Sequence, residues 1–433
     1  MTRTADYIAL EVGGERLDVW TRYEVDSDLL QPADGFHLEV EVGAGLARIS
    51  QDRFRRYREQ LSPGSLVRLY VGDDITGRRR ERYLQLTGRI DELNIDQSRA
   101  RGTTLRVSGR DHGAYLVDSC VPVGLIRDEG TAFLDLVRAA VAPWNLEVIS
   151  DGTASRDILT GRHILTARER LELEEARAQG INPAAFTRML RRRAERQGRP
   201  LDEVAGVTAD PQARARTSNG LLSSDVQRLT HRRAAPRAGE TVWDFLDRHA
   251  RRLGLMMWMD PRGRLIVSAP RYDQQPLYRF VRRWQNRGDD PNTILEGGRR
   301  KDGSALFSEV TVFGRARGGD VTRTSIRGTV TGDLPYQRRL VVHDNSVRDS
   351  SEAERRARRE LRRRLADSDI LQYELPDHGL GRYLYAIDTA AAVEDEVSGV
   401  SDVWYVTRRT FRRDRENGTS TAVRLAPRGA IQL

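Results

Sequence analysis

The sequence is short of cysteine, of lysine, of aromatic residues and of long apolar runs, and each shortage excludes something. Cys120 is the only cysteine in 433 residues, so one chain can build neither a disulfide framework nor a thiolate zinc site. No run of 18 apolar residues occurs, so no helix is expected to span a membrane. Met1 to Leu10 lacks a basic start followed by an apolar stretch, which argues against a Sec-type signal there. These points together lead to the expectation of a soluble chain folded in a reducing cytoplasm. Lys301 is the only lysine and lies in the turn Arg300-Lys301-Asp302-Gly303, so there is no G-x-x-x-x-G-K-[ST] phosphate loop. An ATPase reading therefore has no support.

What the chain has instead is arginine, which supplies nearly all the positive charge behind a net +9. So lopsided a ratio reads more easily as the coding bias of a GC-rich genome than as selection for phosphate, because net charge speaks to solubility before function. Apolar residues make up 38%, too many for a disordered chain, and the length allows two to four domains.

The patterning is that of a β-dominated α+β protein. Residues 1–122 read as a first β-barrel. Tyr7–Val12 and Arg16–Val25 flank the hairpin dipeptide Gly13-Gly14, and Phe36, Leu38, Val40 and Val42 alternate on one face. Leu66–Val71, Tyr83–Ile95 and Thr103–Ser108 continue the strands, while Ser50–Leu61 reads as a short charged helix.

An α/β middle domain follows, made of 123–150 and 236–270. Its first helix carries Phe133, Leu134, Val137, Ala140 and Val141 on one face, followed by the strand Leu146–Ile149. Its second starts at the N-cap Thr241, buries Val242, Phe245, Leu246, Ala250 and Leu253, and stops at Gly254. The Met-rich strand Leu255–Met259 reads as core rather than as a cofactor box.

Between the two halves, 151–235 reads as a basic helical insertion, with 16 arginines against 11 acidic residues and one aromatic, Phe186. Thr166 to Glu169 form a capping box there, and Asn182-Pro183 opens a second helix. Residues 271–433 return to strands as a second β-barrel: Ser308–Phe313, Ser325–Thr331, Gln337–His343, Asp369–Glu374, Ala390–Val393, Trp404–Phe411 and Thr421–Leu425. An Arg-rich helix at 351–367 interrupts them, with a capping box at Ser351 and Glu354 and with Ala357, Leu361 and Leu365 facing inward.

No catalytic, cofactor or metal site is expected. His37, His112, His163, His231, His249, His343 and His378 fall in no ligand spacing. His249 reads as a half-buried packing residue and His112 as an ion-pair partner of Asp111. Glu172 and Glu175 could serve a wall-degrading hydrolase, but the insertion is too poor in aromatics for a sugar cleft. They pair more readily with arginines a helical turn away. Gly239–Leu246 also resembles the opening of a LysM wall-binding motif, which a domain core explains equally well. The Arg-rich helices at 188–199 and 355–364 leave a nucleic-acid alternative, though neither interleaves aromatics as stacking platforms require.

Two stretches of the terminal thirds match in pattern. Val71-Gly72-Asp73-Asp74 leads into a long strand, a glycine hairpin and Thr103-Thr104-Leu105-Arg106-Val107. Val393-Glu394-Asp395-Glu396 does the same, ending in Thr419 to Leu425. Read as a repeat, this gives two like barrels, and three such chains would place six similar units around one axis. Leu86, Leu105, Val107, Val423 and Leu425 are the expected barrel core.

At this point the residues also resemble a family. Leu86-Thr87-Gly88-Arg89-Ile90-Asp91, Leu105 to Asp111, and Leu116-Val117-Asp118-Ser119 look like the baseplate hub proteins of Mu-type contractile phage tails, relatives of the hub part of VgrG-type spikes. Ala238 to Trp243 with Asp260 to Leu265 is similar to their middle domain. Leu340 to Asn345, the Arg-rich helix and the Gly418-Thr419 hairpin are similar to their last third. The resemblance covers most of the chain in order, except 151–235. It implies two tail-tube-like barrels in a structural, non-enzymatic homotrimeric ring with no active site to carry over. That ring would adapt the sixfold tail tube to the threefold central spike and leave an axial channel for genome ejection. The partners implied are the central spike and the tail tube protein. Tape-measure protein, baseplate wedge proteins and passing DNA are further contacts, in a virion baseplate made in the host cytoplasm.

Overall fold

The computed structural model describes residues 7–42, 49–73, 81–98, 102–122, 124–128, 130–150, 229, 234–270, 274–288, 290–314, 326–344, 347–380, 383–414 and 418–428. The helices expected in 151–235, with His163, Glu172, Glu175, Phe186 and His231, lie outside them. The chain divides into two compact units. One takes in 1–271, 374–389 and 407–423, and the other 272–373, 390–406 and 424–433.

The first unit opens with strands β1 (Tyr7–Val12), β2 (Glu15–Leu17), β3 (Arg22–Asp28) and β4 (Gly35–Val42), then helix α1 (Gln51–Gln60). Strands β5 (Leu66–Asp73), β6 (Glu81–Ser98) and β7 (Gly102–Asp111) follow. They run β2-β1-β5-β6-β7-β4-β3, each antiparallel to its neighbours. Phe36, Leu38 and Val40 are buried while the residues between them are half-exposed, the period-two signature of a one-sided sheet.

The single strand expected over Arg16–Val25 is broken at 18–21. Trp20 turns inward there, its Nε1 donating to the Leu17 carbonyl at 2.9 Å and its ring lying 5.6 Å from that of Tyr57 on α1. Burying that indole outweighs two more ladder bonds. Helix α1 forms because the Ser50 hydroxyl caps the Arg53 amide, and Tyr57 is its one buried residue.

Helices α2 (Gly113–Asp118), α3 (Phe133–Val141) and α4 (Val242–Arg252) pack with strands β8 (Val148–Ile149), β9 (Met256–Met259) and β10 (Leu265–Ser268). The small sheet is ordered β8-β10-β9, with β8 parallel and β9 antiparallel to β10. One apolar core joins them, containing Phe133, Val137, Val242, Phe245, Leu246, Met257 and Met259. Thr241 caps α4 by accepting from the Asp244 amide at 3.1 Å. The Leu255 amide closes the far end on the Ala250 carbonyl. His249 is fully buried rather than half-buried, its ring edge-on to Phe245 at 5.2 Å.

The second unit contains β11 (Tyr278–Arg282), β12 (Glu296–Lys301), β13 (Glu309–Phe313), β14 (Arg327–Thr331), β15 (Arg339–His343) and helix α5 (Ser350–Ser368). In the sheet β14-β13-β15, β13 is antiparallel to β14 and parallel to β15. Val310 and Val312 on its inner face pack on Ala353 and Ala357 of α5.

The cap of α5 is Asp349, whose carboxylate accepts from the Glu352 amide at 2.8 Å. Glu352 in turn accepts from the Arg348 amide at 2.9 Å. The reciprocal box therefore sits two residues before the Ser351–Glu354 pair expected, because an aspartate at that point out-competes a serine inside the first turn. Leu365 is exposed, not inward, since the helix buries Ala353, Ala357, Glu360 and Ser368 instead.

The remaining strands are β16 (Asp369–Pro376), β17 (Gly379–Leu380), β18 (Tyr383–Leu384), β19 (Thr389–Asp395), β20 (Val400–Asp414) and β21 (Gly418–Pro427). In the second unit β19 pairs in parallel with β11, from Tyr278↔Ala391 to Arg282↔Asp395. In the first unit, residues 408–413 of β20 pair antiparallel with 23–28 of β3.

The repeated pattern corresponds to two similar strand successions, β5-β6-β7 and β19-β20-β21, each made of hydrogen-bonded neighbours. The last turn in each ends at a glycine with positive φ, 82° at Gly102 and 74° at Gly418, which a side chain would strain. The protein is an α+β fold dominated by strands.

Candidate interaction surfaces

Leu86, Leu105, Val107, Val423 and Leu425 are all buried among the described residues, Leu105, Val107 and Leu425 completely. Val107 and Leu105 stand opposite Leu38 and Val40 on β4, and opposite Leu93 and Ile95 on β6. Apolar side chains on neighbouring strands thus meet on one face of the first sheet.

The polar groups of the first unit are less expected. His378 is fully buried between β3, β20 and β21. Its Nε2 lies 2.7 Å from the Tyr23 hydroxyl and its Nδ1 3.2 Å from the Thr421 hydroxyl. Thr421 donates its own proton to the Asp377 carbonyl at 2.6 Å. The Thr421 oxygen must therefore accept from His378 Nδ1–H, which leaves Nε2 to accept from Tyr23. The imidazole is neutral and satisfied at both nitrogens.

Burial, followed by the nearby Arg409 guanidinium, holds His378 down at about 3. Arg409 is itself buried, with its guanidinium 4.0 Å from the Phe411 ring centre and an N–H donated to Gln85 at 3.1 Å. Close by, burial pushes Asp34 up to about 7, against hydrogen bonds from Ser27 and the Asp28 amide. Asp111 is also raised, by burial and by the Asp34 carboxyl. His112 is not its ion-pair partner. The ring stacks on Tyr115, Nδ1 sits 3.1 Å from the Gly263 carbonyl, and burial lowers its proton affinity.

The second unit holds a knot of charge. Arg282 Nη2 and Nε lie 2.5 and 2.9 Å from the two Asp395 oxygens, and the Tyr373 hydroxyl donates to Asp395 at 2.8 Å. Burial alone would raise Asp395, but Arg282, Ser398 and Tyr373 more than offset it and hold it at about 2. Nearby at the surface, Arg279 and Arg283 clamp Asp290 and Glu394. Trp284 stands 74% exposed, and Leu295 and Val397 are exposed as well. Side chains of this kind gain most when a partner covers them. Among the described residues no group of histidine, cysteine, aspartate and glutamate could hold a metal ion, and no helix is long and apolar enough to cross a membrane.

Among the described residues the strand-dominated fold holds its largest polar clusters as internal clamps and exposes apolar side chains and charge. Residues 7–111 match the family described as Mu phage baseplate assembly protein GpP-like, N-terminal. Residues 224–269 match the second domain of the baseplate hub protein gp44-like family. The resemblance to Mu-type baseplate hub proteins is thereby shown in the first sheet and in the middle layer, in the order the sequence implied.

The fold is also similar to that of the tail protein from Neisseria meningitidis MC58, with a TM-score of 0.67, 20% identity and 98% of each chain covered. The 43 kDa tail protein of prophage MuSo2 from Shewanella oneidensis is similar at a TM-score of 0.66 and 17% identity, over 98% of this chain and 99% of that one. A chain of the Francisella PdpA-VgrG complex reaches a TM-score of 0.50 at 8% identity, over 98% of this chain and 58% of that one. No curated protein matches the sequence.

The sequence reading missed the buried polar knots. One signal for them was present. In Thr407-Arg408-Arg409-Thr410-Phe411 a strand alternates, so one of the two adjacent arginines must share the face of Phe411.

Proposed function

We propose that the protein is the structural hub of a contractile-tail baseplate, a homotrimeric ring that adapts the sixfold tail tube to the threefold central spike. The observation that carries this reading is the collinear match of two baseplate families to its first sheet and middle layer. In the proposed ring, 1–122 and 271–433 form two tube-like barrels with Leu86, Leu105, Val107, Val423 and Leu425 as core. The pieces 123–150 and 236–270 brace them. An axial channel passes the genome and the tape-measure protein, with wedge proteins outside. The work is done by interfaces, without catalysis, in the virion baseplate after synthesis in the host cytoplasm. A spike partner is supported by the similar chain in the PdpA-VgrG complex.

Light scattering behind size exclusion, alone and with the co-encoded spike, tests the proposal. A closed trimer of the 49.1 kDa chain weighs about 147 kDa and should show a threefold ring with an axial hole in negative stain. A monomer that persists in the presence of spike would overturn it. Leu105→Asp, which puts a charge at a fully buried site, should abolish assembly.

A further inference from the structure

Helix α5 separates its charges by face. Its inner side packs Ala353 and Ala357 on the sheet, and the arginines beside that seam are matched. Arg356 pairs with Glu360 and Asp344, and Arg364 with Glu360. The outward side carries Arg355, Arg358, Arg359, Arg362 and Arg363, spaced at three and four residues so that they share one face. Glu354 at the margin takes Arg358. Among the described residues Arg355 donates to the Ser351 hydroxyl, at 3.1 Å. Among the described residues Arg362 and Arg363 make no hydrogen bond or ion pair.

We propose that this face binds the phosphodiester backbone of nucleic acid without regard to base sequence. The row from Arg355 to Arg363 rises about 12 Å along the helix, long enough to meet several phosphates of one strand. An acidic protein partner would need apolar anchors at the centre of its contact, and the one large exposed apolar side chain on this side, Leu365, lies past the C-terminal end of the arginine row. A phosphate backbone needs none, since guanidinium hydrogen bonds and counterion release supply the affinity. With no aromatic to stack on and no side chain set to read a base edge, the contact carries no sequence information. The apolar side of the helix is already used on the sheet, so it cannot enter a lipid surface. The proposal does not rest on the hub reading and is tested on the soluble chain whatever its oligomeric state.

The test is fluorescence anisotropy of the full chain with two unrelated duplexes of about 30 base pairs, titrated across salt. Three phosphate contacts predict a log–log salt slope near −2.7 from this face, about a forty-fold loss of affinity between roughly 50 and 200 mM salt. The triple variant Arg355→Gln, Arg362→Gln, Arg363→Gln should weaken binding at least about ten-fold at low salt and flatten the slope by about that amount. A charge-matched control on exposed α1 arginines, Arg53→Gln, Arg55→Gln, Arg56→Gln, should change affinity less than about two-fold.

Equal losses in both variants would reduce the effect to net charge and overturn the site. An unchanged α5 variant would place the binding on other arginines and do the same, as would a wild-type chain that binds neither duplex. Competition by poly-glutamate as strong as that by DNA, charge for charge, would reassign the face to an acidic protein. Far-UV circular dichroism checks that each variant is folded, and Arg363→Gln alone serves if the triple is not.

Discussion

The two buried knots solve one problem by opposite means. Around His378 every hydrogen-bonded partner is neutral, and Arg409 disfavours a second positive charge there. Around Asp395 one partner is charged, and the guanidinium of Arg282, helped by the neutral donors Ser398 and Tyr373, outweighs the burial that would otherwise neutralise the acid. The neutral network is held only while the imidazole stays unprotonated. The charged one is held only while the carboxylate stays ionised. The same enclosure therefore makes the His378 network sensitive to mild acid and leaves the Asp395 knot indifferent until the pH is far lower.

Breaking the charged knot should cost most. Asp395→Ala leaves Arg282 largely buried without its partner and strands the Tyr373 hydroxyl, so urea melts should show a loss of about 3–5 kcal/mol. Asp395→Asn, which keeps the shape and some of the hydrogen bonds, should lose less. His378→Ala empties a filled site and orphans Tyr23, with an expected loss of about 2–4 kcal/mol.

A finer contrast lies in pH dependence within the first unit. His378 takes up a proton near pH 6.5 when unfolded but only near about 3 when folded, so its contribution is full above 6.5 and is lost as pH falls through that window. Asp34 works the other way. It keeps its proton up to about 7 when folded but only below 3.8 when unfolded, so stability rises as pH falls from 7 toward 4. Asp111 adds to the same side. Denaturation curves between pH 4 and 6.5 should therefore shift slope in opposite directions for His378→Gln and Asp34→Asn, each by about 1.4 kcal/mol per pH unit. Matching shifts would mean that the two groups do not titrate as described.

Thr241→Ala, which removes only the cap of α4, should lower stability by about 1 kcal/mol in the same melts. Asp290→Asn should do least. It disturbs the same residue types as the Asp395 knot, but in open water, and its melting temperature should match wild type in moderate salt.

The local elements were legible because their signals are local. The alternation in β4, the cap at Thr241, the apolar stripe of α4 and the glycine after it each specify their own few residues. Where two local signals competed, as with Asp349 and Ser351, the reading slipped by half a turn. Leu365 misled because an i, i+4, i+8 series drifts around a helix with 3.6 residues per turn, and Glu360 took the inward place once Arg356 and Arg364 flanked it. Leu86, Leu105, Val107, Val423 and Leu425 are buried on strands whose alternation and repeated pattern pointed to them. The pairing of β3 with β20, and the knots around His378 and Asp395, could not, since nothing near Tyr23 in sequence points to residue 378.

That pairing also sets a clock. Asp26 meets Arg408 across 382 residues of chain. At ribosomal speeds of about 5–20 residues per second, β3 waits roughly 20–75 s for its outer neighbour to be made. Until then the first sheet ends in an open edge, of the kind that invites pairing with the wrong chain. Its closure by residues 408–413 means that only a chain translated past residue 413 presents a finished first sheet, and a product cut short before that point keeps the open edge.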